Sequence, residues 1–515
     1  MKFTFAQINT KQDDLRHNSE KILKIIESNK SDLLIFPELS FIGSSSTDML
    51  LNKNFLNQAE KIFHDEIIPK ITSPCIIGSI LKDQEGNFYN SIFTIKDSKI
   101  QKIINKKNLL DNSVFNDSRY FKEATESPLE KSILHINNKN ILIYFYNDLL
   151  NEYKNFNTEL KIDLIICPTN LHYEKHSIYD CLQNAKKITS KLNCDFILLN
   201  QATVNNGLIF YGSSFYMKKD ASFKILKKFE EEVFVIDDKD DDFSVNIDEF
   251  TEDILEMKEA LIFGIKDFFE KNNFKKAYIG LSGGVDSALV TCLAVKALGK
   301  ENVSVLLMPS EYSSLGSIKD AEKLVQNLGI KKEIIPISPI LEEILKAGNF
   351  PKLSLAEENT QARIRGMLLM AKANNDSALV LATGNKSELA AGYATLYGDT
   401  CGALEPIGDL WKLEVWEMAK TFKEIPLEII QKPPSAELKP NQKDSDSLPE
   451  YHILDEILRK YIEENYLIED LIKEGFKENI VLKVIDLLYK SEYKRKQGAG
   501  VLKLKKKSFA LDWKY

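Results

Sequence analysis

Apolar residues in the first 240 positions fall in short runs separated by stretches of mixed character. FTFAQI at the start and DLLIF at 32–36 are too short for helices and predict strands. Residues 14–29 between them repeat apolar positions at three-and-four spacing, which predicts a helix with one buried face. CIIGSIL (75–81), SIFTI (91–95), ILIYFY (141–146), DLIIC (163–167) and DFILLN (195–200) predict further strands. Residues 215–217 and 223–229 predict a hairpin around KKDAS, and 177–192 a further helix. This alternation predicts an α/β domain with a mixed sheet or a pair of sheets.

Periodicity lapses in DDKDDDFSVNIDEF (237–250), an acidic run that predicts a solvated linker. It resumes with a helix, the strand AYIGL (277–281), an apolar helix over 287–299 and the strand VSVLLMP (303–309). A helix over 317–328, the run KEIIPIS, another helix and SALVLAT (377–383) follow. Strand and helix in strict alternation predict a doubly wound parallel sheet. Residues 446–515 read as helical and end in a basic tail, YKRKQGAGVLKLKKK. The predicted domains are 1–240 and 250–515.

A length of 515 residues suits two or three domains. Hydrophobic residues at 43% and charged residues at 28% are those of an ordinary globular chain. The net charge of −8 argues against nonspecific nucleic-acid binding, although a local site can still take a small anion. No apolar run approaches the roughly 18 residues of a membrane span, and MKFTFAQINT lacks the features of a signal peptide. Six scattered cysteines without a CxxC pair suit a reducing compartment, so a cytoplasmic location is expected. Six scattered histidines show no zinc-ligand spacing.

SGGVDS (282–287) is the most specific chemical signal. It follows a strand and opens a helix. Gly283 and Gly284 allow close backbone approach, so the loop amides and the helix N-terminus can converge on an anion. Ser282 and Ser287 add hydroxyl donors. Asp286 places a carboxylate beside bound phosphate, which implies a bridging cation. The hexapeptide is neither a Walker loop nor a GxGxxG fingerprint. It resembles the pyrophosphate loop of the ATP pyrophosphatases, which split ATP into AMP and pyrophosphate.

Within that superfamily the remaining motifs resemble NAD synthetase. ENTQARIRGMLLMAKAN (358–374), TGNKSELAAGYATLYGD (383–399), KPPSAELKPNQKDSDSLPEY (432–451) and SEYKRKQ (491–497) occur in that family's order. The resemblance implies that Ser282, Gly283, Gly284, Asp286, Ser287, Thr383, Lys412 and Ser435 meet ATP. It implies that Asp286 and Glu388 hold Mg²⁺ and that Lys412 faces the leaving pyrophosphate. Arg363, Arg365 and Asp399 would bind deamido-NAD, with Asp399 near the nicotinate end. On a helix, two residues spaced two apart face different ways, so phosphate-binding and structural roles stay open for both arginines. The implied reaction amidates nicotinate adenine dinucleotide through an acyl adenylate. A homodimer or larger homo-oligomer is also implied.

The first 240 residues resemble the nitrilase-like domain that long NAD synthetases use as a glutaminase. FPELS (36–40) supplies a candidate catalytic Glu38, and NKKNLLDNSVFNDSRYF (105–121) a candidate Lys106, with Lys107 as its alternative. NQATVNNGLIFYGSSF (200–215) matches a third segment. Where the family has a cysteine nucleophile in a pattern like ICEDIW, ILIYFYNDLL (141–150) aligns Tyr146, followed by Asn147 and Asp148. A phenol with a pKa near 10 is a weak nucleophile. The expectation is therefore a degenerate glutaminase, with Glu38, Lys106 and Tyr146 as its vestigial site and free ammonia as the nitrogen donor. Glutamine, through an unrecognised nucleophile or a partner amidotransferase, is the alternative.

Overall fold

The computed structural model describes every residue except 44–46, 112–113, 126–128, 157–160, 241, 245–246, 248–253, 510 and 514–515. Most of the second half of the predicted linker lies outside the described residues. Internal contacts divide the chain into two units, Met1–Glu252 and Asp253–Tyr515.

In the first unit one six-stranded sheet runs β14-β1-β2-β3-β4-β5. These strands are β1 (Lys2–Gln7), β2 (Leu33–Ile35), β3 (Cys75–Lys82), β4 (Phe88–Lys96), β5 (Lys99–Asn105) and β14 (Glu232–Asp237). A second sheet runs β13-β12-β9-β8-β7-β6. It comprises β6 (Ile133–Ile136), β7 (Lys139–Ile143), β8 (Leu164–Pro168), β9 (Asp195–Leu199), β12 (Phe215–Met217) and β13 (Phe223–Ile225). A hairpin of β10 (Ala202–Asn205) and β11 (Leu208–Tyr211) stands apart from both.

Alternation along the strands builds the layers. Phe3, Phe5 and Ile76 point between the sheets and meet Ile141, Ile143, Leu164, Ile166 and Ile197. Ala6 and Ile77 point the other way, onto Leu15, Ile22 and Ile25 of helix Leu15–Ser28. Helix Ser177–Leu192 covers the opposite side, against β9 and β12. The unit is an α-β-β-α sandwich.

Several boundaries differ from the sequence pattern. The strand read as 141–146 ends at Ile143, and Tyr146 begins a short helix, Tyr146–Glu152. Three aromatic residues had extended the apolar run past the turn. β5 was missed because its exposed face, Lys99, Gln101 and Ile103, interrupts the apolar run. β14 was also missed; it is an edge strand on which Val233, Phe234 and Val235 are exposed.

The second unit has a fully parallel sheet in the order β17-β16-β15-β18. Its strands are β15 (Lys276–Gly280), β16 (Val303–Leu307), β17 (Lys331–Ile334) and β18 (Ala378–Val380). The chain leaves β15 toward β16 and later returns to its other side as β18. That reversal makes the carboxyl ends of β15 and β18 the place for a ligand crevice. Helix Val285–Leu298 is nearly continuously buried, which explains its apolar sequence. A two-residue parallel pair joins β19 (Leu404–Glu405) to β20 (Gly500–Val501). The basic tail is not a solvated run. Lys503 pairs with Asp512 at 3.0 Å and Lys505 with Glu414, while Leu502 and Leu504 are fully buried.

Candidate functional sites

The glycine loop begins where β15 ends. Gly283 has φ +84°, and a Cβ there would overlap the Ser317 carbonyl oxygen. Only glycine suits both constraints. Ser282 Oγ lies 3.1 Å from Ser287 Oγ and accepts from the Gly284 amide at 3.2 Å. The loop therefore opens onto the first turn of helix Val285–Leu298, where unpaired amides favour anions.

Lys412 joins the two predicted metal ligands. Its Nζ donates to Asp286 Oδ2 at 2.6 Å and to Glu388 Oε1 at 3.2 Å. Asn385 donates to the other Asp286 oxygen at 2.9 Å. The same Asn385 caps helix Lys386–Ala391 in a reciprocal box with Glu388, so one local motif orients both side chains. Burial raises the Glu388 pKa and Asp286 raises it further, with Lys412 opposing both. Burial disfavours the Lys412 ammonium, but the two carboxylates outweigh it and its pKa rises. Lys412 itself is buried, whereas Asp286 and Glu388 are 18% and 17% exposed. The carboxylates thus keep an open edge beside the loop.

Asp444 joins this cluster and was not singled out from the sequence. It is buried, accepts from Tyr451 Oη at 2.9 Å and acts electrostatically on Lys412 and Glu388. Its place in the quoted QKD stretch was the available signal. Thr383 opens the half-buried turn that leads to Asn385. Arg363 and Arg365 do diverge: Nε of Arg363 donates to the Leu396 carbonyl, and Nε of Arg365 to the Met308 carbonyl. Asp399 accepts from the Thr395 amide at 2.6 Å and is open to solvent. Ser435 is not drawn to the cluster. It is exposed, and its hydroxyl donates to the Gln442 carbonyl within its own loop. That loop is fastened to the start of helix Leu315–Leu328 by Glu437, which accepts from Ser317 Oγ at 2.7 Å.

The first unit holds a second buried lysine between carboxylates. Lys106 Nζ lies 3.0 Å from Glu38 Oε1 and 3.0 Å from Asp117 Oδ2. Asn90 also donates to Glu38, at 2.7 Å. Lys107, the alternative, instead pairs with Glu152 at 2.9 Å. Asp148 accepts from the backbone amides of Lys107 and Asn108 and so secures the lysine loop. Burial raises the Glu38 pKa against the pull of Lys106. Asp117 escaped the sequence reading because nothing local marks it as a lysine partner.

Glu38, Asn90, Lys106, Asp117, Asn147 and Asn170 line a small cavity. Tyr146 does not line it. Its ring is buried toward helix Ser177–Leu192, where its oxygen receives Asn184 Nδ2 at 3.4 Å. The residue delivered to the cavity is its neighbour, because the chain turns into a helix at that point. Among the described residues, no cysteine lines this cavity.

Comparison with known proteins adds the following. The NAD synthase family matches residues 257–498. The chain is 36% identical over 559 residues to the glutamine-dependent NAD(+) synthetase of Synechocystis, covering 99% of this chain and 97% of that one. It is 35% identical over 533 residues to the enzyme of the same name from Acinetobacter baylyi, covering 100% and 97%. The solved glutamine-dependent NAD+ synthetase from Acinetobacter baumannii, in complex with ADP, superposes with a TM-score of 0.77 at 30% identity, covering 100% and 98%. These full-length relatives overturn the expectation that free ammonia is the nitrogen donor. They leave the description of the first unit as a degenerate glutaminase without support. That expectation had rested on the absence of a cysteine from 141–150, with Tyr146 counted into the nucleophile position; the fold turns Tyr146 away from the cavity.

Proposed function

Because the chain belongs to the NAD synthetase family in its long, two-domain form, we propose that it uses ATP to activate deamido-NAD and amidates it with nitrogen drawn from glutamine. The observation that carries this reading is the Lys412 ammonium between Asp286 and Glu388, beside a glycine loop shaped for phosphate. The nicotinate carboxylate attacks the α-phosphorus of ATP, and pyrophosphate leaves. Nitrogen then attacks the acyl carbon, and AMP leaves. Lys412 and the loop amides neutralise charge that accumulates on the departing phosphates.

Asp286 and Glu388 fit a magnesium ion. One ammonium already brings their oxygens together, and Mg²⁺ bound to phosphate needs few protein oxygens. When bound, Mg²⁺ supplies positive charge to the triphosphate. Arg363, Arg365 and Asp399 are assigned to deamido-NAD, and Ser282, Ser287 and Thr383 to ATP. The reading includes a homo-oligomer. It also includes a cytoplasmic location, supported by six free cysteines.

Glutamine reaches the reaction through the Glu38–Lys106 cavity with a nucleophile other than a cysteine lining it, or through a separate amidotransferase. The test is NAD formation by the purified chain from ATP, Mg²⁺ and deamido-NAD, with ammonium or ammonia-free glutamine as sole nitrogen source. Activity with glutamine assigns its hydrolysis to this chain, and its loss in Glu38→Gln places that step in the cavity. Activity with ammonium alone, not extended to glutamine by a candidate amidotransferase, rejects glutamine as donor. No NAD from either source rejects the synthetase reading.

A further inference from the structure

Outside both lysine clusters, the first unit holds a further cavity of about 50 Å³. On the same basis one water needs about 10–15 Å³, so the space admits several waters or one small organic molecule. Its walls are apolar: Leu56 and Ala59 of helix Lys53–Ile62, Phe63 just after it, Ile80 and Leu81 of β3, and Phe88 of β4. Glu60, His64 and Lys82 also line it and are exposed.

Two features set this cavity apart from a packing gap. Ser79 lines it, is 1% exposed, and its hydroxyl has no hydrogen-bond partner among the described residues. Along β3 it shares the face of Ile77, which points to the helix layer where Leu56, Ala59 and Phe63 pack. A buried hydroxyl left unpaired costs free energy that a ligand atom can restore. The second feature is the helix itself. After Ile62 it widens, and the Phe63 carbonyl accepts from the Ile68 amide five residues on. Turns of this kind are rare and recur at functional sites, and this one carries Phe63 and His64 to the cavity.

The lining selects the occupant. A buried water needs two to four polar partners, and Ser79 carries the one buried polar side chain among the described residues that line the space. Phe63 and Phe88 offer aromatic surface, which favours a planar ring. Glu60 and Lys82 carry opposite charges, so the rim does not call for an ion. The inner wall also meets the Glu38 segment. The Gly78 amide donates to the Pro37 carbonyl at 3.2 Å, and a Cβ on Gly78 would lie 2.6 Å from Glu38 Cα. Ile80 pairs with Asn90, which donates to Glu38 at 2.7 Å.

We propose that this cavity binds a small uncharged aromatic molecule with one hydroxyl or carbonyl group, and that its occupant steadies the Glu38 segment through β3. The site does not depend on the reaction assigned to the chain.

Phenol and toluene are the probes, used with the full chain. Phenol is expected to bind with a Kd of about 1 mM or tighter. Toluene, which cannot meet Ser79, is expected to bind about five- to tenfold more weakly. Ser79→Ala removes only an unpaired hydroxyl, so it should fold, and it is expected to bind the two probes equally. Ala59→Leu fills the space and is expected to lose both. With phenol, amide hydrogen exchange across residues 36–40 is expected to slow in the unmodified chain and not in Ala59→Leu. Absence of phenol binding, as when water alone fills the space, overturns the proposal. A preference for phenol that survives Ser79→Ala overturns it too, as does exchange at 36–40 that phenol leaves unchanged. Should Ala59→Leu not fold, the Ser79→Ala comparison and the exchange of the unmodified chain decide alone.

Discussion

The two units place a buried lysine between two carboxylates, yet the two arrangements differ at their edges. Lys106 lies between Glu38 and Asp117, with all three side chains at most 8% exposed. Lys412 lies between Asp286 and Glu388, which are exposed about twice as much or more. The first cluster is closed on itself and bounded by a small cavity. The second opens onto a loop whose amides favour phosphate. The open edge thus decides which cluster is placed to exchange its internal partners for a ligand.

The largest effect is expected where the closed cluster is broken. Lys106→Met leaves Glu38 and Asp117 buried without their cation and should cost about 3–5 kcal/mol, read as a lower urea midpoint for the first unit. Ammonium-supported NAD formation should survive it. A midpoint equal to that of the unmodified chain would show that water already relieves the cluster. Lys412→Met should lower deamido-NAD-dependent pyrophosphate release on the order of 10²–10³-fold, because in the proposed reaction its charge is used when the leaving group departs. Equal losses of pyrophosphate release in both variants would dissolve the contrast between the clusters.

A smaller effect concerns pH. Burial disfavours the Lys106 ammonium, but Glu38 and Asp117 outweigh it, so its folded pKa lies above the unfolded value. Its stabilisation is therefore complete below the unfolded value of about 10.4 and is lost as pH rises toward the folded one. The stability gap between the unmodified chain and Lys106→Met should narrow above about pH 10.4, by at most about 1.4 kcal/mol per pH unit. A gap constant to about pH 11 would contradict this sign. The smallest effect is expected for Ser435→Ala, within about 0.5 kcal/mol in stability and little changed in KM for ATP, since its hydroxyl faces its own loop. A clear rise in that KM would place Ser435 on the phosphates after all.

Legibility in the sequence followed the range of the interactions. SGGVDS could be read because the strand, the two glycines and the helix start are contiguous. The Asn385–Glu388 box was likewise local. Asp117 and Asp444 could not be found in this way, since each acquires its meaning from a lysine that only folding brings near. Tyr146 shows the converse failure. Its alignment came from motif spacing, and a turn after Ile143 hands the cavity to Asn147. An amino-acid type at an aligned position does not settle where its side chain points.

The sequence by itself determined the fold class, because strand alternation and helix periodicity act over a few residues, and its motifs carried the resemblance to the family that the full-length relatives show. The tertiary structure alone decided that Lys106, not Lys107, joins Glu38 and that Lys503 and Lys505 of the basic tail lie inside. Burial and charge pairing are sums over residues distant in the chain. No local pattern carries them until the sheets and helices have been packed.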